Sequence, residues 1–75
     1  MSDDVRTTVR AAWSDVLGRH DFADDDYFFS IGGTSLSAIR VMRSLSRSTG
    51  RRLPIRMLFE HQTVARLAVA VENAP

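Results

Sequence analysis

The chain contains no cysteine and no lysine, and its apolar residues never run more than a few in a row. Without cysteine there are no disulfides, no thiolate metal sites and no thiol catalysis of the chain's own. Without a long apolar run nothing here is built to span a bilayer as a helix. The opening MSDDVRTTVR is acidic and polar, the wrong chemistry for a secretory signal, so a soluble, cytoplasmic protein is the expectation. With 75 residues the chain is expected to form one domain, spanning residues 1–75, near the lower size limit for folding alone. A domain this small has no room for a substrate-enclosing core with lids. Its stability has to come from helix packing.

Charge is unevenly distributed. Residues 1–39 hold seven aspartates against three arginines, whereas residues 40–56 hold six arginines and no acid. The net charge of +1 hides that asymmetry.

Asp3 to Leu17 reads as a helix, because Val5, Val9, Ala12, Trp13, Val16 and Leu17 recur at spacings of three and four. Ser2 is placed to cap it, Asp3 and Asp4 suit the positive end of its dipole, and Gly18 is a stop. About fifteen residues without a helical period follow, RHDFADDDYFFSIGG. Phe22, Tyr27, Phe28, Phe29 and Ile31 are expected to anchor them as an ordered loop over a helical core. Asp24, Asp25 and Asp26 lack the glycine and glutamate of a calcium loop and read as a solvated acidic turn. A second helix opens at Thr34 or Ser35, runs to about Ser48 and is closed by Gly50. Arg51 to Leu53 connect to a short third helix that starts at Pro54 and ends near Phe59, with Ile55, Leu58 and Phe59 as its apolar contacts. Thr63 caps a fourth helix whose buried face is Val64, Leu67, Ala68 and Val71. Asn73 and Pro75 mark a terminus or the start of a linker. No segment alternates with period two. The expected fold class is all-α: a small four-helix bundle with a long ordered first loop and a short third helix.

The second helix has two faces. At 100° per residue, Ala38, Val41, Met42 and Leu45 make a sufficient core stripe. On the other side lie Leu36, Ile39, Arg40, Arg43 and Arg47. Two readings of that side stay open. Leu36 and Ile39 are scattered surface hydrophobes, with Leu36 free to tuck under the first loop. Alternatively, they are the apolar centre of a docking patch with a cationic rim.

Gly32 and Gly33 free the backbone just before Ser35, which stands at a helix N-terminus with little bulk in front of it. Three roles compete for this serine. It caps the helix, although Thr34 alone can do that. It is a nucleophile, although the closing glycine, strand and oxyanion loop of a nucleophile elbow are missing and neither His20 nor His61 is marked as an oriented base. Or it is a substrate, modified by another protein. A helix N-terminus offers free N–H groups and a positive dipole end, so a phosphodiester is electrostatically welcome there, with Arg40 placed to steer an anionic donor.

The run Asp26-Tyr27-Phe28-Phe29-Ser30-Ile31-Gly32-Gly33-Thr34-Ser35-Leu36 resembles the core motif of peptidyl carrier proteins, the thiolation domains of nonribosomal peptide synthetases. Residues 53–60 resemble that family's third-helix segment and residues 63–68 the opening of its fourth, so the resemblance covers nearly the whole chain. It implies an acyl-carrier-like fold and 4'-phosphopantetheine on Ser35, donated by coenzyme A through a separate Mg²⁺-using phosphopantetheinyl transferase, with Gly32, Gly33 and Thr34 around the attachment point. It implies a carrier that is not an enzyme and binds no metal of its own. Such a carrier holds an amino acid or peptide as a thioester for adenylation, condensation, tailoring or thioesterase partners in antibiotic and other secondary metabolism. Leu36, Ile39, Arg40, Arg43 and Met57 are then the expected docking residues of a monomer that needs neither nucleic acid nor membrane. Thr34 departs from the Asp or His common before the family's serine, which puts the choice of transferase and partner in doubt. The arginine-rich second helix also differs from the acidic one of fatty-acid carriers, so a partner's rim is expected to be acidic or neutral. Two alternatives remain: an acyl or aryl carrier of polyketide or siderophore assembly, and a small basic helical nucleic-acid binder acting through RVMRSLSRSTGRR.

Overall fold

A computed structural model describes residues 2–74, and the side chains of residues 4–74. Its order is α1 (Ser2–Leu17), a 3-10 turn (Phe28–Ile31), α2 (Ser35–Thr49), α3 (Arg56–Glu60) and α4 (Val64–Glu72). No strand occurs among the described residues. The fold is the all-α, four-helix bundle with a long first loop and a short third helix.

The helices lie where periodicity and punctuation place them. Gly18 and Gly50 take the left-handed conformation, at φ 70° and 68°, and end α1 and α2. Thr63 accepts from the Arg66 N–H at the head of α4. α1 packs against both α2 and α4, and α3 leans on α4. Val9 and Trp13 from α1, Val41 and Leu45 from α2, Leu58 from α3 and Val64, Leu67 and Val71 from α4 fill one fully buried core. Proposed capping by Ser2, and the place of Asp3 in the dipole, lie outside the described side chains, as does Pro75.

Several expectations need correction. The first loop is not free of helix, since Phe28–Ile31 closes a 3-10 turn too short to leave a period. Phe22 and Phe28 are its buried anchors, whereas Tyr27 and Phe29 stay substantially exposed. The acidic turn is not merely solvated. Asp24 binds Arg10 at 2.8 Å and Arg6 at 3.3 Å, and Asp26 accepts from the Ala23 N–H at 2.8 Å. The third helix begins two residues late, at Arg56, because Pro54 and Ile55 supply only the carbonyls that Met57 and Leu58 bond. Phe59 faces outward and stacks on Phe29, centroids 5.6 Å apart.

Two backbone bonds pin the loop across the bundle. The Phe28 N–H reaches Gln62 O at 2.8 Å, and the Ala65 N–H reaches Asp24 O at 3.1 Å. These bonds hold the end of the loop, and therefore the start of α2, against the head of α4.

Candidate functional site

The site is built from the core outward. Trp13 and Phe28 meet edge to face at 4.9 Å, both wholly buried. The Phe28 ring lies directly under Gly33. A Cβ at position 33 would overlap that ring and come within 2.6 Å of Phe28 O. Gly33 is therefore required by close approach, and its N–H bonds Phe28 O at 3.0 Å. Gly32 is required by conformation, because it sits at φ 103° as the cap of the 3-10 turn. The two glycines turn the chain sharply from the buried phenylalanine to an exposed helix head.

Thr34 caps α2 with a reciprocal pair of bonds. Its Oγ1 accepts from the Ser37 N–H at 3.1 Å, its own N–H reaches Ser37 Oγ at 3.3 Å, and the two hydroxyls lie 2.9 Å apart. With the Ser37 amide satisfied by Thr34 Oγ1 and the Ala38 amide by Thr34 O, the N–H groups of Ser35 and Leu36 are left without a protein acceptor among the described residues. Ser35 itself is exposed and accepts no capping duty. Of the three roles open to it, capping is thus taken by Thr34. Nucleophilic catalysis has no support in the described geometry, where no base is bonded to Ser35.

An anion fits this place. Two free amide donors and the positive end of a 15-residue helix flank the hydroxyl, and the first turn carries no acid. Next to it and one turn further on, the outer face of α2 presents Leu36 at 57% exposure and Ile39 at 40%, with Arg40 and Arg43 exposed beside them. Leu36 does not tuck under the first loop. Met57 is half-buried against the core and lines a groove with His61, Ala65, Arg66 and Val69 that no α2 residue shares.

Two contributors escaped the sequence reading. Ser37 completes the capping box without the glutamate or glutamine that marks one. Arg19 donates to Ile31 O at 3.0 Å from twelve residues away, a contact that leaves no local signal.

An exposed hydroxyl on a helix head beside free amide donors is a place suited to a phosphate-linked group. Comparison with known proteins agrees. The family model described as phosphopantetheine attachment site matches residues 7–71. The chain is 34% identical over 71 residues to surfactin synthase subunit 3 of Bacillus subtilis, covering 95% of this chain and 6% of that protein. It is 39% identical over 69 residues to phosphinothricin tripeptide synthetase PhsC of Streptomyces viridochromogenes, covering 92% and 6%. Among solved structures, BlmI of Streptomyces verticillus, a type-II acyl-carrier-protein involved in bleomycin biosynthesis, superposes with a TM-score of 0.90 at 28% identity, covering 95% of this chain and 86% of that one. The chain thus spans only a few per cent of the length of the synthetases it matches.

The chain belongs to the phosphopantetheine-attachment family, as a non-catalytic carrier domain of the nonribosomal-peptide-synthetase type, a class that bears 4'-phosphopantetheine covalently on a serine. Such carriers interact with partner catalytic domains. The nucleic-acid alternative finds no support in these comparisons. No described helix is long and apolar enough to cross a membrane.

Proposed function

We propose that Ser35 is the attachment serine and that residues 1–75 work as one monomeric carrier domain, holding an amino acid or peptide as a thioester. The observation that carries this reading is the exposed Ser35 hydroxyl beside the unbonded N–H groups of Ser35 and Leu36. In the loading step, Ser35 Oγ bonds to phosphorus as the phosphoanhydride to the nucleotide half of coenzyme A breaks. The hydroxyl proton would pass to a base of the phosphopantetheinyl transferase and the nucleotide half would leave with the electron pair, its charge offset by the transferase's Mg²⁺. The N–H groups of Ser35 and Leu36 would hold a phosphodiester oxygen, and Gly32 and Gly33 keep bulk away from the approach. The attached group supplies the thiol that a cysteine-free chain lacks.

Leu36 and Ile39 form the apolar centre by which adenylation, condensation, tailoring or thioesterase partners grip the domain, and Arg40 and Arg43 form its rim. A small patch of moderate affinity suits a shuttle that must be released after each visit. Met57, half-buried on α3, is a second contact. A partner rim complementary to unpaired arginines is acidic or neutral.

The test is incubation with coenzyme A and a broad-specificity transferase, followed by intact mass and peptide mapping. The native chain gains one phosphopantetheine at Ser35 and Ser35→Ala gains none. Labelling that survives the substitution overturns the attachment point, and a native chain that refuses the label overturns the carrier reading. Mass spectrometry of the thioester formed with candidate activating enzymes separates an amino-acid cargo from an acyl or aryl one.

A further inference from the structure

Arg19 stands just beyond the glycine that ends α1, outside every element of the attachment site. Its guanidinium makes three bonds. Nε and Nη2 grip the two oxygens of Asp21 at 2.7 and 3.1 Å, and Nη1 donates to the carbonyl of Ile31 at 3.0 Å. A guanidinium is planar and rigid, so a carboxylate that holds one edge sets the direction of the remaining donor. Here that donor points at the last residue before Gly32-Gly33.

A pair of glycines is the most pliable hinge a chain can have. Downstream of this one, the Thr34–Ser37 box fixes the helix head. Upstream, the hinge is held by the Gly33 N–H on Phe28 O and by Arg19 on Ile31 O. We infer that the Asp21–Arg19 pair is a strut that fixes the Gly32-Gly33 turn, making Arg19 a positioning residue for phosphopantetheinyl transfer to Ser35. The inference rests on Ser35 being the acceptor.

The strut lies at the surface, where an ion pair adds little to global stability. Its loss changes how often the turn is in the form a transferase accepts. A competent fraction that falls by some factor raises the apparent binding constant by the same factor, and the chemistry after binding is unaltered. The neighbouring Arg10 is the control. It braces the same loop through Asp24 and the His20 and Phe22 carbonyls without touching Ile31.

The experiment compares the native chain with Arg19→Ala, Arg19→Lys, Asp21→Asn and Arg10→Lys, all at a temperature where each is folded. Transferase kinetics with coenzyme A are read beside amide hydrogen exchange of the unloaded chains. Arg19→Ala is expected to raise KM for the carrier about tenfold with kcat unchanged, and to speed exchange at the bonded amides of residues 32–34 by at least that factor while α1 and α4 amides keep their rates. Arg19→Lys, which keeps a donor but loses the fork, falls between native and Ala. Asp21→Asn does the same, and it stands in for Arg19→Ala should that variant not fold. Arg10→Lys leaves KM and exchange at residues 32–34 as they are. Native KM and native exchange in Arg19→Ala overturn the strut, and so does an equal rise of KM in Arg10→Lys. Should the native chain not be loaded at all, it is the acceptor reading that fails, and the exchange rates alone decide whether Arg19 holds the turn.

Discussion

The first loop and the outer face of α2 use the same side chain for opposite purposes. In the loop, arginine is consumed by structure. Arg10 reaches the Asp24 carboxylate at 2.8 Å, the carbonyls of His20 and Phe22, and the face of the Phe22 ring at 4.3 Å. On α2, Arg40, Arg43 and Arg47 are exposed and, among the described residues, none has an acid partner. The difference lies in the neighbours. Seven aspartates sit in the first half of the chain and none between residues 40 and 56, so Arg6, Arg10 and Arg19 find carboxylates and the three α2 arginines remain in water. Arg51 is the exception that clarifies the rule. Making no ion pair among the described residues, it turns to the carbonyls of Val71 and Glu72 at the end of α4, where a cation complements the helix dipole. The lesson is that an arginine's role here is set by what the fold brings within reach of it.

The comparison breaks first at Gly33. If the loop is as tightly seated as its buried rings imply, Gly33→Ala must displace Phe28 from Trp13. It should cost about 3 kcal/mol in urea unfolding, the upper range for overpacking a core. A loss of under half that would mean the loop yields. Next, Arg10→Ala removes one charge-assisted bond and two carbonyl partners at a half-buried position. About 2 kcal/mol is expected, a fall in Tm of roughly 10 °C for a domain this size. The α2 face must behave in the opposite way. Arg40→Glu with Arg43→Glu should leave stability within about 0.5 kcal/mol. It should also slow thioester transfer from a cognate partner about tenfold, an effect that shrinks as salt screens the contact. Transfer at the native rate would take both arginines out of the interface.

The smallest effect is one of pH. The hydrogen bond from Arg19, then a backbone bond and the charge of Arg19, hold the Asp21 carboxyl below its ordinary value. A carboxyl whose folded value is depressed adds stability that is present above its unfolded value and lost as pH falls through the lower, folded one. Asp21→Asn should therefore lower stability slightly at neutral pH, where the carboxylate's contribution is fully present, and the difference from the native chain should shrink away as pH falls below about 4.

Much of the fold was readable because helices in a chain this short announce themselves by period and by punctuation. Gly18, Gly50, Thr34 and Thr63 each stand where a helix must stop or start, and the structure ends or caps a helix at every one. Ser35 was readable for the same reason, as the residue just inside a capped helix after two glycines. The 3-10 turn was not, since four residues hold no period to detect. Tyr27 and Phe29 were expected inside because aromatic residues usually go there. The core had room for Phe22 and Phe28 next to Trp13, and Phe29 was left to stack on Phe59 at the surface.

Composition, spacing and caps determined by themselves that this chain is a cysteine-free helical bundle with a serine at the head of its second helix, and the motif of residues 26–36 added the resemblance to a carrier. They could do so because those features are local, each set by residues within a few positions of one another. Only the tertiary structure decided which ring lies under Gly33, which carbonyl Arg19 holds and which arginines stay unpaired. Those contacts join residues far apart in the chain, and what brings them together is the packing of α1 against α2 and α4.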